Sequence, residues 1–345
     1  LAKGVGFVYN PGEQILSTTT PLFTLILAVF QPLWPNLPRL ANLIGAFSLA
    51  AGGLLLWDLA RSWGSPLAGW AGLLLYPTFP LLASTLGSET PLYLALALAT
   101  FACYARGKYT LTALLAALTV LTRPDGILVA ALIVLHYALR IKKPVPWRAV
   151  AVFLVPLTAW ILFAGIYFGS PVPVTLAAKQ AQFSLAQSSG FLSGLLLLAR
   201  NYLSLPHYLI AGILALLGVV LIVRRSLAWG LLIAWIGLYT VSFSVLQVSS
   251  FFWYYAPLVP GMVSLIGIGL GGLHERTAQF HRPWSLLAAA ILLTIAGFQI
   301  RDLNNLRLQL DRRYPIYQAV GQWLLEQTDP SSEVATLEVG IIGYF

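Results

Sequence analysis

The chain has 345 residues, of which 59% are hydrophobic and only 9% are Asp, Glu, Lys or Arg, with 11 Trp and a mean hydropathy of +0.82. That exceeds what a soluble domain of this length needs to fill its core, and it is the composition of a polytopic membrane protein. The net charge of +9 comes from bases dispersed over short loops, which excludes a nucleic-acid face, and the single cysteine, Cys103, excludes an internal disulfide.

In chain order, residues 1–37 read as an extracytoplasmic loop followed by a short, proline-hemmed apolar helix, Pro21 to Trp34, lying at the membrane interface. Ten apolar segments follow, near 38–60, 66–86, 90–105, 109–122, 126–140, 149–168, 207–223, 227–247, 255–273 and 283–300. Each is read as a crossing, since a hydrocarbon core of about 30 Å takes roughly 20 apolar residues, fewer where neighbours shield the helix. Residues 38–301 thus form an all-α transmembrane domain. Residues 302–345 mix charge with apolar residues and end in an extended-looking run from Glu333, the expected start of an extracytoplasmic α/β domain. Met262 is the lone methionine, so Leu1 is not an ordinary translation start, and the sequence is expected to be a fragment at both ends.

Assigning alternate loops to opposite faces gathers Arg61, Arg106, Lys108, Arg140, Lys142, Lys143, Arg148, Arg224, Arg225, Arg276 and Arg282 on one side, the expected cytoplasmic face of a plasma membrane. The other side then receives every unusual polar motif. A charge in hydrocarbon is expensive enough that the few acids and bases at these boundaries are functional candidates by default.

Five such motifs stand out. Gly6 to Glu13 contains Tyr9, Asn10, Pro11 and Gly12, a turn before the Thr20–Pro21 helix start; it reads as a capped loop or as a polar lid over a site. Gly87-Ser-Glu89-Thr-Pro-Leu92 sets an acid at a helix start, where Glu89 either complements the helix dipole or binds a hydroxyl, a cation or a metal. Thr122-Arg123-Pro124-Asp125-Gly126 is a tight turn that reads either as a self-neutralised hairpin cap, Asp125 capping the next helix while Arg123 pairs with it or snorkels to the interface, or as a site where Arg123 holds a phosphate. Gly169 to Lys179 turns at Pro171 and Pro173 and leaves Lys179 as the sole cation over many residues, a second phosphate candidate. Phe251 to Leu258 is aromatic, an interfacial belt or a sugar-stacking surface in which Tyr254 and Tyr255 are the candidates. The four histidines are scattered and suggest no metal triad.

Together these residues resemble the C-type membrane glycosyltransferases, including glycosyltransferase family 39 and the bacterial arabinofuranosyltransferase-like proteins. The resemblance rests on Gly-Phe-Val-Tyr-Asn-Pro-Gly-Glu and Thr-Thr-Pro-Leu (6–22), Gly-Ser-Glu-Thr-Pro-Leu (87–92), Thr-Arg-Pro-Asp-Gly (122–126), the run 169–179 and Trp-Tyr-Tyr-Ala-Pro-Leu (253–258). It implies inverting transfer of a sugar from a polyprenyl-phosphate donor to a glycan, lipid or protein acceptor on the outer face. It further implies a general base, an aspartate in the first outer loop, that would precede Leu1. The supporting roles it suggests are Arg123 and Lys179 on the donor phosphate, Glu89 and Asp125 on sugar or acceptor hydroxyls, Glu13 near the base, and Tyr9, Asn10, Tyr254 and Tyr255 on sugar or acceptor. Some relatives use a divalent metal; Glu13, Glu89 and Asp125 offer oxygens, but their spacing does not decide the matter.

Two readings from other classes compete. A lipid-linked sugar flippase or other transporter would line a path through the membrane with its charges, and the sequence lacks a duplicated half. A polytopic scaffold or sensor would use the same turns only to cap helices.

Overall fold

In the computed structural model, placement is described for residues 13–173, 190–225, 227–276, 281–308 and 313–329, and for 1, 4, 6–8, 175, 332, 334 and 342. It divides into two units, Leu1–Gln299 and Ile300–Phe345. The first is a helical bundle: α1 (Pro21–Phe30), α2 (Leu37–Ser62), α3 (Pro66–Leu75), α4 (Pro80–Ala83), α5 (Thr90–Ala105), α6 (Tyr109–Thr122), α7 (Ile127–His136), α8 (Trp147–Phe168), α9 (Phe191–Leu203), α10 (Pro206–Arg225), α11 (Leu227–Val245), α12 (Val259–Arg276) and α13 (His281–Leu308), the last running past Gln299. Short 3₁₀ turns at Pro124–Gly126 and Phe252–Leu258 lead into α7 and α12, and a π turn, Tyr137–Ile141, closes α7. The second unit contains α14 (Arg313–Gln327). No strand occurs among the described residues, and most of the extended-looking run from Glu333 lies outside them.

Each apolar segment read from the sequence contains helix, but not all are long enough to cross a membrane by themselves. Among the described residues, five helical stretches are long and apolar enough to span a membrane: Leu37–Ser62, Pro124–Ile141, Trp147–Phe168, Phe252–Leu273 and Trp284–Leu306; the pair Phe191–Leu203 and Pro206–Ile222, bent by 117°, would make a sixth. Thr90–Ala105 and Tyr109–Thr122 are shorter apolar helices. At about 1.5 Å per residue, such lengths reach only part-way across hydrocarbon unaided. Segment 66–86 is broken: Pro77 and Pro80 cannot continue α3, and the chain restarts as α4. The segment 169–206, in which the sequence marks no crossing, contains α9.

The bundle is apolar outside as well as inside. Phe47, Leu216 and Ile166 are largely exposed on helix surfaces, which suits a hydrocarbon surrounding better than water. Inside, α12 is enclosed by α3 and α10, α2 packs on α3 and α5, and α6 lies between α5 and α8. The α10–α12 contact is close because Gly218 and Gly269 carry no side chain: a Cβ on either would strike the backbone carbonyl of Leu265 or Leu214. Small residues at such contacts are the usual means by which helices associate in lipid.

Candidate functional site

The Thr122–Gly126 turn is shaped by its proline. The residue before proline is pushed out of the helical region, so α6 ends at Thr122 and Arg123 adopts an extended backbone, φ −152° and ψ 135°. Its side chain consequently turns into the bundle instead of running on along the helix. The chain closes again through the Gly126 N–H donating to the Arg123 carbonyl at 2.9 Å. Gly126 sits so near α6 that a Cβ would lie 2.7 Å from the Thr119 backbone. Only glycine permits that approach.

Arg123 is 5% exposed. It does not snorkel; it is surrounded. Its Nε donates to Asp125 Oδ1 at 3.0 Å, Nη1 donates to Thr90 Oγ1 at 3.1 Å, and Nη1 lies 3.6 Å from Glu89 Oε1. The guanidinium carbon stands over the rings of Tyr93, at 5.1 Å, and Tyr254, at 5.7 Å. Glu89 occupies the position preceding α5 yet makes no capping bond; Ser88 Oγ accepts the Thr90 N–H instead, at 3.2 Å. Its carboxylate is thereby left to Arg123.

The cluster is incompletely satisfied. Asp125 Oδ2 and the hydroxyls of Tyr93 and Tyr239 are buried with no well-formed hydrogen bond among the described residues. Tyr93 stands beside Asp125 and Tyr239 beside Arg123, each near enough to act on its charged neighbour electrostatically and through a side-chain hydrogen bond of loose geometry. Buried polar atoms left open are costly and uncommon, and here three converge on one ion pair. One cation between two carboxylates leaves the group with a formal charge of −1.

Of the residues singled out from sequence, Glu89, Arg123, Asp125 and Tyr254 meet here. Tyr255 is buried elsewhere in the same turn, its hydroxyl donating to the Phe191 carbonyl at 2.9 Å, a brace for α9 rather than an open aromatic face. Glu13 is exposed and is not among the groups that act on Arg123. Tyr9, Asn10 and Lys179 lie outside the described residues. Sequence reasoning did not single out Thr90, Tyr93 or Tyr239. Tyr93 could have been found, being four residues after Glu89 and so on its face of the helix; Tyr239, midway along an apolar helix, gave no signal. As a metal site the cluster does not fit: Glu89 and Asp125 already share a guanidinium, and no three His, Cys, Asp or Glu converge among the described residues.

The opposite end of the bundle is built differently. Arg106 pairs with Asp58, Tyr104 Oη lies 2.7 Å from His136 Nδ1, and Lys108, Arg140, Lys142 and Lys143 are exposed around them. This end thus carries exposed, mostly basic charge, whereas Arg123 and its two carboxylates are largely enclosed.

No protein-family model, curated protein or solved structure matches this chain.

Proposed function

We propose that the chain is the membrane part of a glycosyltransferase that moves a sugar, with inversion, from a polyprenyl-phosphate donor to an acceptor hydroxyl. In this reading the reaction takes place on the face away from the basic loops, the extracytoplasmic side of a plasma membrane. The observation that carries it is the buried Arg123 bracketed by Asp125 and Glu89 under an aromatic cover, with Asp125 Oδ2 making no well-formed hydrogen bond among the described residues. Holding such a group at the end of a bundle in lipid is expensive, and a role in binding or chemistry explains why it is kept. The resemblance of motifs 6–22, 87–92, 122–126, 169–179 and 253–258 to the C-type glycosyltransferases supports the same reading, as does their common side. On this reading the ten apolar segments act as crossings in company, the shorter ones shielded by neighbours, and the sequence after Asp302 begins an extracytoplasmic α/β domain.

The chemistry fits the residues. The acceptor oxygen attacks the anomeric carbon, the bond from that carbon to the phosphate oxygen breaks, and polyprenyl phosphate leaves with the electron pair while the acceptor proton passes to a carboxylate base. Arg123 supplies fixed positive charge for the phosphate, with Lys179 as a second cation, and Asp125 Oδ2 accepts a hydrogen bond from a sugar or acceptor hydroxyl.

Transfer of a radiolabelled sugar from polyprenyl-phosphate donors, in membranes containing the protein, tests this. Asp125→Asn and Arg123→Gln are expected to lower transfer by about a hundredfold at equal protein level, the scale of losing one preorganised electrostatic contact. Transfer equal to that of the unaltered protein in both variants would overturn the assignment.

A further inference from the structure

The two carboxylates on Arg123 are not equivalent. Asp125 is on the same tight turn, hydrogen-bonded at 3.0 Å with 11% of its side chain exposed, whereas Glu89 reaches the guanidinium only at 3.6 Å and is 23% exposed. Nothing else in the cluster pins Glu89, because Ser88 has taken over the capping bond. An arriving phosphate meets a difficulty here: the site it must enter is already net negative, so its charge is repelled unless one carboxylate withdraws. Asp125 is held by geometry. Glu89 is the group that can leave.

Resting on the glycosyltransferase reading above, we propose that Glu89 is a displaceable guard on Arg123, exchanged for the phosphate of the lipid donor and reset when polyprenyl phosphate departs. With Glu89 in place the guanidinium is neutralised and the buried cluster tolerates an empty site. With phosphate in place, Arg123 exchanges a long contact for a charge-assisted, bidentate one, while Asp125 keeps the guanidinium oriented through Nε. The displaced carboxylate stays at the amino end of α5, where the helix dipole favours a negative charge. Glu89 is therefore a specificity-determining residue: a neutral prenyl lipid cannot displace it, and only a ligand carrying at least an equal anionic charge opens the site.

The test is equilibrium binding of farnesyl phosphate to the purified full chain in lipid nanodiscs, with farnesol and inorganic phosphate as parallel probes. Removing the guard, as Glu89→Gln and independently as Glu89→Ala, is expected to tighten farnesyl phosphate binding by about tenfold, the worth of one partly screened charge contact, and to leave farnesol binding unchanged. Inorganic phosphate should show the same gain with lower affinity, since the exchange concerns the phosphate. Arg123→Gln should abolish the farnesyl phosphate preference over farnesol. Equal or weaker farnesyl phosphate binding in both Glu89 variants, with Arg123→Gln still losing it, would overturn the guard while leaving phosphate on Arg123. Undiminished preference in Arg123→Gln would overturn the phosphate reading itself.

Discussion

Arg106 and Arg123 stand at the two ends of α6, each joined to an aspartate. Arg106 and Asp58 leave 33% and 39% of their side chains exposed; Arg123 and Asp125 leave 5% and 11%. Around the first pair lie exposed basic side chains, and Arg106 also donates to the Ala102 carbonyl at 2.8 Å. Around the second lie Thr90, Tyr93, Tyr239 and Tyr254, three of them tyrosines from different elements. The chemistry is the same and the surroundings are opposite. In water such a pair trades hydration for attraction at almost no net gain, whereas inside the bundle hydration is lost outright and the pair must be held by its neighbours. The exposed pair is therefore a surface feature, and the buried one is a commitment of the fold.

The largest effect should come from breaking the buried pair on one side only. Arg123→Met leaves Asp125 and Glu89 without their shared cation in a largely enclosed site and is expected to destabilise the protein by about 3–5 kcal/mol. Arg123→Met combined with Asp125→Leu should recover part of that loss, since no uncompensated aspartate remains, although sugar transfer stays lost. A double-mutant cycle from thermal unfolding in detergent measures the recovery. Additive losses would mean that the two residues do not act as a pair, and the contrast with Arg106 would collapse.

A smaller effect sharpens the comparison by moving the turn without touching a charge. Gly126→Ala puts a methyl group 2.7 Å from the Thr119 backbone, and backbone cannot rotate out of the way as a side chain can. The cost is expected at about 1–3 kcal/mol, the range of overpacking, with sugar transfer falling because Asp125 is carried on the displaced turn. Unchanged unfolding and unchanged transfer would show that the turn can relax without disturbing the pair.

Much of this arrangement was legible in the sequence, and what was not has physical causes. The helices were, because apolar runs bounded by glycine, proline and basic residues leave little choice in lipid. The division of 66–86 by Pro77 and Pro80 was visible in principle, but hydropathy alone runs straight through it. Helix α9 was missed because Gly169 to Pro206 begins with turn signals and a polar stretch that mask the apolar run from Phe191. At the site, the scarcity of charge picked out Glu89, Arg123 and Asp125 one by one. It could not pair Glu89 with Arg123, since that depends on how α5 and α6 lie side by side. Nor could it decide between snorkelling and burial for Arg123. Proline decided it, by turning the arginine off the helix axis and into the bundle. Tyr239 was invisible because a tyrosine in an apolar helix is ordinary until a partner from another helix meets it.

The smallest expected effect is the most exacting for the comparison. Asp58→Asn removes the carboxylate from a pair that is already wet, and Arg106 retains the Ala102 carbonyl, so no charge is stranded in hydrocarbon. The change in stability should stay below about 1 kcal/mol and should shrink further as salt rises from low to physiological strength, because exposed pairs are screened over a Debye length near 10 Å. Sugar transfer should be unaffected. The outcome separates two explanations that otherwise agree, namely that arginine–aspartate pairs matter in this bundle because they tie helices together, or because one of them is buried where a substrate binds. A loss at Asp58 comparable to that at Asp125, persisting in salt, would favour tying at both ends and would remove burial as the reason for singling out Arg123. A small, salt-sensitive loss leaves burial as the difference, and with it the assignment of the site to one end of α6.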